Sequence, residues 1–115
     1  MSTLSTILAA ILGVVFVGAG LQKLTGQKMV VENFKRWGYA DVVLTATGWL
    51  EVVTGTVLLV GIAVPSLAVT GSMLVIAIML GALATHQRAH DPIAMWVPPA
   101  VLLVLDLVLA YSLLP

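Results

Sequence analysis

The chain has 115 residues, 61% of them hydrophobic and 9% charged, with a formal net charge of zero and a mean hydropathy of +1.15. Soluble domains are about 45–50% apolar and about 25% charged, so there are too few polar residues here to clothe a water-soluble globule. A soluble enzyme and a disordered tail are excluded, as is a nucleic-acid binder, since no basic patch exists, and the lack of cysteine removes disulfide and thiolate chemistry.

The length suits a single domain over residues 1–115, built on four spans of about the 20 residues a bilayer core requires. The first runs over 4–24 and ends at Gln22 and Lys23. No Lys or Arg precedes it and no small-residue cleavage site follows, which predicts an uncleaved transmembrane helix rather than a signal peptide. A long connection follows, in which Val30, Phe34 and Trp37 recur at i, i+4 and i+7. Lys28, Glu32, Lys35 and Arg36 turn elsewhere, and Gly38 can end a helix. This pattern predicts a short amphipathic helix in the membrane interface.

The second span covers 42–64, with Asp41 as its expected N-cap and Pro65 beyond its end. The third covers 66–86. Asp91-Pro92 reads as an N-cap and first-position pair opening the fourth, 92–114, in which Pro98-Pro99 removes two backbone donors and should kink the helix. Lipid leaves only helices or a closed barrel, and four segments cannot close a barrel. The fold class is therefore all-α, a transmembrane four-helix bundle.

Lys23, Lys28, Lys35, Arg36 and Arg88 all fall in the connections 22–41 and 87–91. Basic residues are retained in the cytoplasm during insertion, so a multi-pass cell-membrane protein with both termini extracytoplasmic is expected.

Small residues mark helix contacts in lipid. Ala9, Gly13 and Gly20 form such a stripe in the first span, continued by Lys23; Gly48, Glu51 and Gly55 form one in the second. Glu51 thus lies on a packed face, where an uncompensated charge costs several kcal/mol at least. It must be neutral, hydrated or paired, as a structural salt bridge or a ligand or proton site. Lys23 lies about two turns, roughly 10 Å, nearer the cytoplasm, within partial reach of a long side chain. His86, at similar depth, shares a face with Ser72, Val75, Met79 and Ala82; the alternatives are a bond to Glu51 or a simple helix-end role. Lys23, Glu51 and His86 are expected to face one polar pocket, with Glu51 and His86 the candidate acid–base groups. Asp106, mid-span and on the face of Pro99, either extends that polar line or is a neutral carboxyl bonded to a hydroxyl or carbonyl. His86 and His90 at i, i+4 beside Asp91 imitate a metal site, but no third His and no Cys exists, so no metal is expected. Met73, Met79 and Met95 are expected to be apolar filler.

The segments FVGAGLQKL, GWLEVVTGTVLLVG and MLGALATH together resemble the DoxX family of small four-helix membrane proteins. The resemblance covers nearly the whole chain and rests on Gly20, Lys23, Gly48, Glu51, Gly55 and His86. It implies kinship with subunits of thiosulfate:quinone oxidoreductase and with DoxX-like assembly chaperones. Three functions fit the residues. One is an accessory subunit of a membrane redox system that binds a small hydrophobic ligand, quinone or lipid, through Lys23, Glu51, His86 and Asp106. Another is an acid–base enzyme acting on a lipophilic substrate. The third is a small proton-coupled transporter, although small multidrug transporters carry their buried Glu in the first span. An assembly chaperone, a redox or assembly partner and a homo-oligomer are compatible with each.

Overall fold

The computed structural model describes residues 1–115 as five helices without strands. They are α1 (Thr3–Leu24), α2 (Lys28–Arg36), α3 (Asp41–Gly61), α4 (Pro65–Arg88) and α5 (Ile93–Ser112). All but α2 are long and apolar enough to cross a membrane. The molecule measures 42 Å along its longest axis, close to the thickness of a bilayer with its headgroups, about 40–45 Å. Ile11, Val14, Trp49, Met73, Leu80 and Val104 point outward, a surface suited to lipid rather than water.

The spanning helices form a ring: α1 packs on α3, α3 on α4, α4 on α5, and α5 back on α1. The Ser5 and Ser112 hydroxyls, 2.7 Å apart, bring the two ends of the chain to one end of the bundle. At the other end lie α2 and all five basic residues.

The glycine stripes join α1 to α3. A Cβ built on Gly20 would lie 2.5 Å from the Gly48 carbonyl oxygen, and one on Gly55 would lie 2.5 Å from that of Gly13. Backbone meets backbone at two levels, an approach only glycine permits. Leu8, Leu12, Phe16, Leu58, Val75 and Leu109 fill the half of the ring away from α2.

The amphipathic segment forms as its periodicity predicts, with Phe34 turned inward and buried. Gly38 adopts φ +83°, so the Gly38 N–H can bond the Lys35 carbonyl and the Tyr39 N–H the Phe34 carbonyl, each at 3.0 Å. This is the Schellman ending, with its apolar contact made by the Phe34 and Tyr39 rings, 5.9 Å between centroids.

Helix boundaries differ from the expected spans by one to three residues at most ends, and three of these differences have a visible cause. Residues 62–64 form the turn, so α3 stops at Gly61 and α4 starts on Pro65, whose missing N–H costs nothing in a first turn. Asp41 lies inside the first turn of α3 and Ala40 is the N-cap. Asp91 does not cap α5: Pro92 holds that position, without a side-chain cap, because the Asp91 carboxylate is engaged elsewhere. Pro98 and Pro99 are accommodated within a continuous α5.

Candidate functional site

Beneath α2 the ring does not close on itself. A cavity of about 500 Å³ lies there, and Lys23, Glu51 and His86 all line it. Its apolar wall includes Phe34, Trp37, Met79, Pro99 and Leu102, and its polar wall includes Asn33, Tyr39, Thr47 and Thr85.

Because α1 and α3 run antiparallel through the Gly20–Gly48 contact, Lys23 lies one turn towards α2 from that level and Glu51 one turn away from it, and the long Lys23 side chain spans the interval. Lys23 Nζ stands 2.6 Å from Glu51 Oε1, and both side chains are largely withdrawn from solvent. The pairing supplies the counter-charge that a carboxylate inside the bundle requires.

His86 takes a different partner from the one the spacing offered. Its Nδ1 lies 2.6 Å from Asp91 Oδ2 and makes no hydrogen bond to Glu51. The same Asp91 oxygen accepts the Trp37 indole N–H at 3.1 Å, while Oδ1 receives the Arg36 guanidinium. The Asp91 backbone carbonyl accepts the Trp96 indole N–H at 3.1 Å. Arg36, then His86 and Trp37, hold the Asp91 carboxyl well below its ordinary value, at about 2. An ionised Asp91 can only accept, so His86 Nδ1 carries the donated proton. In the neutral ring Nε2 is then left as an acceptor.

Asp91 is the residue that reading the sequence assigned to the wrong task. Two further bonds complete the seat of α2: Tyr39 to the Thr85 hydroxyl at 2.7 Å, and Arg88 to the Trp37 carbonyl at 2.9 Å. The ring of Trp37 stands nearly perpendicular to that of His86, with centroids 5.5 Å apart. The helix that reads as an interfacial anchor is thus also the roof of the cavity.

Asp106 does not line the cavity. It is fully buried between helices, and neither carboxyl oxygen has a hydrogen-bond partner; Thr54 Oγ1 and Ser72 Oγ are buried and unpartnered too. The expected extension of the polar line to Asp106 is absent from the cavity wall.

Four apolar spanning helices, an amphipathic helix across one end and a half-polar cavity beneath it define a small polytopic membrane protein. The chain belongs to the DoxX-like family, whose family model matches residues 7–109. No solved structure matches it.

Proposed function

We propose that this chain is a ligand-binding accessory protein of a membrane redox system, holding a quinone- or lipid-like molecule in the cavity beneath α2. The observation that carries this reading is the cavity itself. Its volume of about 500 Å³ falls within the roughly 300–1,000 Å³ usual for ligand sites. Aromatic and aliphatic walls with a few convergent polar groups are the usual lining of such sites. The redox association rests on the DoxX resemblance. The excess of basic residues at the α2 end supports a cytoplasmic placement of the cavity, with both termini outside.

A second reading, acid–base turnover of a lipophilic substrate, is favoured by one feature. An ionised Asp91 fixes the His86 tautomer and leaves Nε2 to take a proton. Glu51, already paired with Lys23, is the weaker base candidate.

The test is native mass spectrometry of the protein extracted from membranes in a mild detergent. A co-purifying amphipath that is lost in Glu51→Gln, with the helical content unchanged, is the expected result. Extraction with no bound small molecule from several lipid backgrounds would overturn the reading.

A further inference from the structure

We infer that the cavity is filled sideways from the bilayer, through a gap between α3 and α4 with Gly81 at its threshold, by an amphipath whose head is uncharged. The inference rests on the ligand-binding reading above and specifies its route and its chemistry.

The gap follows from how α3 and α4 diverge. Away from α2 they touch closely: a Cβ on Gly61 would lie 2.5 Å from the Ala68 nitrogen, and one on Gly71 would lie 2.8 Å from the Leu58 side chain. Towards α2 the next glycine of α4, Gly81, makes no such contact with α3. Of the lining residues that are also exposed, four border α3 and α4, namely Val43 and Leu50 on α3, 38% and 43% exposed, with Ala77 and Gly81 on α4, and only Pro98 stands on α5. Residues that belong at once to the cavity wall and to the outer surface mark an opening. Gly81 is the clearest of them, since a Cβ there would meet nothing within 4 Å. Glycine weakens a helix relative to alanine, and no close approach requires one here. It leaves the threshold free of a side chain.

The other route, from water at the end of the bundle, is roofed. α2 and the turn after it are fastened across that end by the bonds of Arg36 and Trp37 to Asp91, of Tyr39 to Thr85, and of Arg88 to the Trp37 carbonyl.

The head group follows from the charges already matched. The Lys23 ammonium is held by Glu51, and Asp91 is held by Arg36 and His86. No unpaired cation faces the cavity, so a phosphate or carboxylate head would have to displace Glu51 and strand it without a counter-charge. Uncharged groups meet no such penalty. A hydroxyl can donate to His86 Nε2, and a carbonyl can accept from the amide of Asn33, which lines the same space.

Two lipids with the same oleoyl chain on glycerol separate the possibilities: monoolein, which is uncharged, and oleoyl lysophosphatidic acid, which is anionic. Uptake of each from neutral phosphatidylcholine vesicles by the reconstituted protein is followed in time by native mass spectrometry. Monoolein is expected to be retained at least tenfold over the anionic lipid. Gly81→Phe should slow its uptake at least tenfold without changing the melting temperature. Gly18→Phe is the control, since Gly18 also faces open space but lies off the cavity. Preferential retention of the anionic lipid overturns the uncharged head. Wild-type uptake in Gly81→Phe, with monoolein still retained over the anionic lipid, overturns the route alone. Retention of neither lipid by the wild type overturns this inference and the reading beneath it together.

Discussion

His86 and Asp91, five residues apart, meet at 2.6 Å because α4 ends in a left-handed turn at His90. The His90 N–H can bond the Gln87 carbonyl and the Asp91 N–H the His86 carbonyl, at 3.2 and 3.0 Å. This is again the Schellman ending, which brings the second residue beyond the cap against the third from the helix end. In α2 that pair is Tyr39 and Phe34, an apolar contact. In α4 the same geometry closes a hydrogen bond from the His86 imidazole to the Asp91 carboxylate and sets that imidazole in the cavity wall.

Left-handed backbone at His90, with φ 54°, costs an L-residue about 1–2 kcal/mol that glycine avoids. His90→Gly should therefore stabilise the protein by about 1 kcal/mol and leave the His86–Asp91 pair intact. Chemical unfolding in detergent measures it, and a loss of stability would show that the His90 side chain has a task of its own.

The lowered Asp91 pKa has a definite sign in stability. A carboxyl held at about 2 when folded, against an ordinary 3.8, favours the folded state in full above the ordinary value. That contribution fades as pH falls through the window between the two and is gone below about 2. The difference in melting temperature between wild type and Asp91→Asn should shrink as pH falls between 3.8 and about 2. A difference that grows on acidification would contradict the bonding seen around Asp91.

Lys23 and Glu51 should show strong coupling in a double-mutant cycle. Removing one partner of a buried pair leaves an uncompensated charge and costs about 3–5 kcal/mol, whereas removing both can be nearly neutral. Lys23→Met is expected to be the more damaging single change, with Glu51→Gln added to it restoring most of the loss. Additive effects would mean that the 2.6 Å contact contributes little.

Gly55→Leu should destabilise by about 2–3 kcal/mol or more, because its Cβ would lie 2.5 Å from the Gly13 carbonyl and 2.7 Å from the Val17 side chain. Gly18→Leu on the neighbouring helix should be close to neutral, having open space to fill. Similar melting temperatures for the two variants would refute the close α1–α3 contact.

Much of this architecture is readable from periodicity and composition. The spans, the amphipathic helix and the glycine stripes are written at spacings of about one or two helical turns, and depth alone nominates Lys23 as a partner for Glu51. Asp91 was not legible in that way. Asp-Pro is an ordinary helix opening, and what redirects the carboxylate is non-local: Arg36 and Trp37 arrive from α2 on the opposite side of the cavity. The turn that sets Asp91 beside His86 also lacks the glycine that would announce it. A carboxylate shortly after a helix-end His, in a connection facing an Arg and a Trp, was the available signal. Asp106 shares a face with Pro99, but only packing decides which part of that face the cavity reaches.

The two glycine contacts between α1 and α3 lie seven residues apart on each helix, roughly 10 Å along the axis. Meshed at two levels, these helices cannot slip by a turn without driving a larger side chain into a space that admits only backbone. They act as a chassis of fixed length and register. Any adjustment of the cavity falls to the parts outside that pair of helices, where no second glycine contact of this kind fixes the register. The Lys23–Glu51 pair, bolted to the chassis, would then stay put as a reference point while the wall opposite moves.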